Sequence, residues 1–152
     1  MGILSARLDR ECILMDPAEM EKEDLYRLMV ERLASVHGIE NPSILFESVM
    51  SREELISTCI GNGCAVPHCH SDLLDKTIFA AARLNPPRDF DTPDGEPVSL
   101  VFLMAGPDRS TGMHIKLLSK LSRLLHDPQF REELKNAGDI EDFHRILSRK
   151  DK

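Results

Sequence analysis

The 152-residue chain has no tryptophan, one tyrosine and six phenylalanines. Flat aromatic surfaces on which bases or sugar rings stack are therefore scarce. Basic charge is also in deficit: 19 Lys and Arg stand against 26 Asp and Glu, a net charge of −7. Such a field repels phosphate backbones and anionic lipid, which argues against nucleic acid or a membrane as partner. No stretch approaches the roughly 20 apolar residues that span a bilayer. Near the N-terminus, Arg7, Asp9, Arg10 and Glu11 break up any run long enough to form the centre of a signal peptide. The Met-Gly start carries Ala6 where acylation of a glycine favours Ser or Thr. A cytoplasmic protein is expected. With 41% apolar and 30% charged residues the chain is globular, and its length suits one domain over 1–152.

Cysteine is sparse but unevenly placed. Three of the four, Cys59, Cys64 and Cys69, fall in a twelve-residue stretch that also holds His68 and His70. Zinc sites pair their ligands as two C-x2-4-C units, or one such unit with H-x3-5-H. A C-x4-C-x4-C run has no second pair, so small buried thiols in a reducing compartment are expected, and zinc bound by Cys59, Cys64, Cys69 and His70 is the lesser alternative.

Hydrophobic periodicity gives the elements. Residues 12–15 form a short apolar run closed by Asp16-Pro17, a strand and turn. Leu25, Leu28, Met29, Leu33 and Val36 recur at helical spacing over 21–36, and Gly38 is placed to stop that helix. Asn41-Pro42 opens a second helix to about residue 50, with a further short helical piece over 52–57. Gly61-Asn62-Gly63 marks a turn before a brief strand over 64–66. Residues 77–84 and 98–105 are the best strands, the second so continuously apolar that it belongs in the middle of a sheet. Between them, 85–97 holds four prolines and reads as a long connection within one sheet. Ser110-Thr111 can cap a helix over 112–126, and two shorter helices cover 128–136 and 140–147. The last five residues read as a solvated tail. Strands mixed with helices in this order give an α/β fold, a small mixed sheet with helices on both faces.

Six histidines are the main chemical asset. His37, His126 and His144 sit at helix ends or among charged neighbours and carry no site signal. His68 is different, because Pro67 fixes the backbone before it and a strand end presents it. His114 is three and four residues ahead of Leu117 and Leu118, so it faces inward, in the first turn of its helix. The positive helix end disfavours an imidazolium there and draws anions to the free backbone N–H groups. An inward histidine at such a place, with a strand-end histidine, is an arrangement suited to phosphate.

The run from Glu53 to Cys69 resembles the phosphohistidine signature of type-2 enzyme IIA domains, the fructose/mannitol class of the bacterial sugar phosphotransferase system, which includes nitrogen-regulatory IIA proteins. Glu53, Ile60-Gly61, Ala65-Val66 and Pro67-His68-Cys69 stand at its fixed positions, with Cys64 where an aliphatic residue is usual. The likeness continues through 89–107 and 114–130. The resemblance implies that His68 accepts a phosphoryl group, that His114 is the second active-site histidine and that Arg52 is the active-site arginine. It implies the histidine-containing phosphocarrier protein as donor and a IIB domain cysteine as acceptor, with a nitrogen-regulatory protein whose phosphorylation state controls partner proteins as the alternative. No nucleotide cofactor is implied, and no P-loop or Mg²⁺ ligand set appears in the sequence. Cys69-His70 departs from the Gly-Arg or Gly-Lys often found there, so the resemblance gives His70 no role.

Overall fold

The computed structural model describes residues 2–55 and 57–151, without the side chains of Ser110 and Thr111. After a 3-10 turn at Ser5–Arg7, β1 (Leu8–Met15) leads into α1 (Lys22–His37) and α2 (Pro42–Leu55). Three short strands follow, β2 (Cys59–Gly61), β3 (Cys64–Ala65) and β4 (His68–His70), then the long pair β5 (Ile78–Arg88) and β6 (Val98–Gly106). The chain ends in α3 (Thr111–His126), α4 (Pro128–Lys135) and α5 (Ile140–Lys150). Among the described residues no helix is long and apolar enough to cross a membrane.

Every residue of β6 is buried, so both faces of the sheet's centre are covered. The sheet runs β1-β5-β6-β3-β2, parallel for β1–β5 and β3–β6 and antiparallel for β5–β6 and β2–β3. β4 also pairs with β6 in parallel, further along the same strand: β3 meets Leu100 and Val101, and β4 meets Met104 to Gly106. Val66-Pro67 is the interruption between the two pairings. α1 and α2 pack on each other and on the sheet, and α3, α4 and α5 form a second helical group. This is the mixed α/β arrangement anticipated from the element order.

Four local expectations need correction. β1 begins at Leu8 rather than at Cys12, because Asp9, Arg10 and Glu11 point into solvent while the strand pairs with β5 through Leu8. β5 continues through Pro86-Pro87 to Arg88. Its pairing with β6 shifts register between Arg83 and Arg88, and that irregularity accommodates prolines that cannot donate to the ladder. α2 is one helix to Leu55 instead of two pieces; residue 56 lies outside the described residues, as do the Ser110 and Thr111 side chains proposed as a cap.

The tail is the fourth correction. Asp151 is fully buried, accepting hydrogen bonds from Leu4 N (2.8 Å), Ser5 N (2.7 Å) and Ser5 Oγ (3.0 Å), with Lys120 Nζ at 2.6 Å. A carboxylate with this many partners is a tether between the chain's two ends and α3, not a solvated residue.

Candidate functional site

The Gly61-Asn62-Gly63 turn places three successive residues at positive φ, +90°, +57° and +78°. That backbone is open to glycine and tolerable for asparagine. The turn returns the chain beside β6, where Gly63 O accepts from Ser99 N (2.8 Å) and Leu100 N (3.1 Å). Pro67 O then accepts from Met104 N at 2.9 Å, which sets the register of β4. Strand alternation follows: His68 and His70 project from one face, and Cys69 projects from the other into the core.

α3 brings His114 against that face. Its ring centroid lies 5.3 Å from that of His68 in an edge arrangement and 4.0 Å from that of His70 at a 40° tilt. His114 is 3% exposed, and neither ring nitrogen has a hydrogen-bond partner; the Nε2 of His70 is also buried without one. Burial, followed by the neighbouring His70 and His68, holds His114 down to about 4. It is a neutral ring at neutral pH.

His68 is half-buried, and its Nδ1 is 2.9 Å from Val66 O. A carbonyl only accepts, so Nδ1 carries the proton and the Nε2 lone pair of the neutral ring is free. Burial is the main influence holding this imidazole below its ordinary value. The Val66 carbonyl and Glu53 oppose that shift, and the Arg52 guanidinium and His70 add to it.

The end of α2 supplies Arg52 and Glu53. Arg52 is half-buried, with its charge felt at His68. The Glu53 side chain is 4% exposed; it accepts a hydrogen bond from the Thr58 hydroxyl and faces Lys22 Nζ at 3.3 Å. On the other side, Asp72 and Asp108 share a hydrogen bond that raises the Asp108 carboxyl, while His70 nearby lowers it. Three exposed apolar side chains follow these residues closely in the chain: Leu55, Leu73 and Ile115.

Of the residues singled out in the sequence, the structure brings together His68, His114 and Arg52. It adds His70, to which sequence reasoning gave no role although its i, i+2 relation to His68 on a strand places both rings on one face. It also shows the signature residue Glu53 as a buried, paired carboxylate. The four cysteines are free thiols, and among the described residues no group of three or more His, Cys, Asp or Glu side chains is arranged to hold a metal ion. Burial raises Cys69 to about 12 and Cys64 to about 11. His37 pairs with Asp9 at 3.1 Å. His144 is buried rather than among solvated charges, 3.0 Å from Leu8 O through Nε2.

A mixed sheet wrapped by two helical groups, with imidazoles gathered at the end of a short strand, defines a class of small histidine-site α/β proteins. Comparison with known sequences and structures narrows it. The sequence model described as "Phosphoenolpyruvate-dependent sugar phosphotransferase system, EIIA 2" matches residues 7–150, and the chain belongs to that family. It is 33% identical to the nitrogen regulatory protein of Bradyrhizobium diazoefficiens, over 91% of this chain and 90% of that one. The crystal structure of nitrogen regulatory protein IIA-Ntr from Neisseria meningitidis superposes with a TM-score of 0.87 at 30% identity, covering 96% of this chain and 99% of that one. The fold is shared as well with the mannitol IIA enzyme of Escherichia coli, solved in complex with phosphorylated enzyme IIB of the mannitol system (TM-score 0.75, 23% identity, 91% and 94% covered).

Proposed function

We propose that this chain is a phosphohistidine carrier protein and that His68 Nε2 accepts the phosphoryl group. One observation carries the reading: Nδ1 of His68 is held by Val66 O, leaving Nε2 as the free nucleophile beside a buried His114 whose nitrogens have no partner. In the transfer, the Nε2 lone pair forms a nitrogen–phosphorus bond as the corresponding bond to the donor's histidine breaks. The donor ring keeps the electron pair, and no proton need change hands. Positioning and charge stabilisation then decide the rate. His114 donates to a phosphoryl oxygen, and Arg52 presents a planar fork of donors to the others. The donor is the histidine-containing phosphocarrier protein, as membership of the phosphotransferase family supports.

The output is regulatory in the first reading: phosphorylation state controls binding to target proteins. The nitrogen regulatory names of the Bradyrhizobium and Neisseria relatives support it. Onward transfer to a IIB cysteine is the second reading, favoured by the mannitol complex, in which a IIA enzyme meets phosphorylated IIB. In either case the protein acts in the cytoplasm, a reading that membership of the phosphotransferase family supports.

Incubation with phosphorylated carrier protein tests the first step. Wild-type chain becomes labelled and His68→Ala does not; label retained by His68→Ala overturns the assignment. A panel of IIB domains then separates the outputs, since rapid loss of label to a IIB cysteine marks onward transfer and retention marks the regulatory reading.

A further inference from the structure

The arrangement around His70 is not explained by a two-histidine site. Its ring is packed on His114 more closely than that of His68, with centroids 4.0 Å apart against 5.3 Å. Its Nε2 is buried without a partner, so the cluster holds three imidazole nitrogens, this one and both of His114, with no bond to make inside the folded chain. Unpaired buried polar atoms are costly, and three together at one place suit a ligand that can satisfy them.

We propose that His70 is a positioning residue for phosphoryl transfer: stacked on His114, it takes a proton from solvent when the phosphoryl group arrives at His68, and so supplies the site's balancing positive charge. This rests on the reading of His68 as acceptor. A phosphoryl group brings a charge of roughly −1.5 to −2. His114 is poorly suited to answer it, being 3% exposed with no acceptor beside it. His70 is half-buried at the edge of the cluster, within the field of Asp108.

The groups around His70 can be named by element. On its own strand stands His68, and on α3 His114, both neutral at neutral pH. From the flanking segments comes Asp108, which shares a hydrogen bond with Asp72 and whose charge interacts with His70. The end of α2 brings Arg52 and Glu53 to His68, where Arg52 disfavours an imidazolium and Glu53 favours one. Ser48 Oγ contacts only the backbone of His70, donating to its carbonyl at 3.4 Å. Arrival of a dianion adds to the side that favours the proton.

The test compares rates of phosphoryl acceptance from phosphorylated carrier protein for wild type, His70→Phe, His70→Gln and His70→Lys, so that the donor's own titration cancels in each ratio. The wild-type rate should exceed that of His70→Phe about tenfold on the acid side of neutrality and lose that advantage as pH is raised. His70→Gln follows His70→Phe, and His70→Lys, with a fixed charge, keeps the advantage across the range. In parallel, the NMR titration midpoint of His70 should move up by about one pH unit on phosphorylation. Label on His68 with a flat ratio and an unmoved midpoint overturns the inference and leaves the acceptor assignment standing. Absence of label from His68 in the wild type overturns both.

Discussion

The nucleophilic nitrogen of His68 depends on one carbonyl. Val66 O, 2.9 Å from Nδ1, selects the tautomer, and the Pro67 ring that follows Val66 limits how far that carbonyl can turn. At the same scale, burial of His114 has a consequence for stability. Its folded value of about 4 lies below the ordinary 6.5, so protonation favours the unfolded chain. Stability is therefore full above the ordinary value and falls as pH drops toward the folded one. Between about pH 7 and about pH 5 this ring alone costs about 2 kcal/mol, with His68 adding in the same direction. Denaturant titrations at the two pH values should show that loss in the wild type and a smaller one in His114→Gln. The same variant should fold and accept phosphoryl about 10²-fold more slowly, the usual consequence of losing one preorganised donor. A variant that fails to fold shows His114 to be a core residue only.

The nearness of His68, His114 and Arg52 was legible in the sequence because each sits in a recognisable local context: after a proline, on an apolar stripe in a first helical turn, and ahead of the signature glutamate. That of His70 was not, since it comes from packing against a helix more than forty positions along the chain, which no local pattern reports.

Among the elements, the turn before β3 matters most to the site, since it fixes where β3 and then β4 join β6. A Cβ on Gly63 would lie 3.0 Å from Pro97 O, at a φ of +78° that side chains rarely adopt. Gly63→Ala should therefore lose about 1–3 kcal/mol of stability, read by thermal or denaturant unfolding. It should also lower the phosphoryl acceptance rate, because β4 moves with the turn. An unchanged melting point contradicts the role given to this turn. Strand and helix types were readable from periodicity, most clearly for β6 and α3, but extents were not. β5 passes through two prolines because a register shift against β6 admits them, and β1 starts early because Leu8 pairs with β5 ahead of a shift in register that leaves Asp9, Arg10 and Glu11 in solvent. Both are tertiary effects overriding a local signal.

At the scale of the molecule, two buried charged groups bind distant segments. Arg83 holds Asp16 through two hydrogen bonds (2.7 and 2.9 Å) and reaches the carbonyls of Lys135 and Ala137 (2.6 and 2.9 Å), tying β1 and β5 to the end of α4. Asp151 joins the two ends of the chain to α3 through Lys120. Removing one partner of such a buried set leaves the others unpaired, so Asp151→Ala should cost about 3 kcal/mol in denaturant unfolding. A cost below about 0.5 kcal/mol would show the tether to be dispensable. The sequence offered no sign of it, since an aspartate among Ser, Arg and Lys reads as solvated. The net charge of −7 acts at this scale too. A basic face on the donor meets it faster, so the association rate should fall as salt rises, and a rate independent of salt contradicts electrostatic steering.

The account turns on a single atom, and the most direct measurement is to locate the phosphoryl group after incubation with phosphorylated carrier protein. Phosphorus NMR of chain labelled with nitrogen-15 in its histidines should show one phosphoryl group per molecule, bonded to Nε2 of His68. A bond to Nδ1 of that ring, or to His70, His114 or a cysteine, contradicts the account.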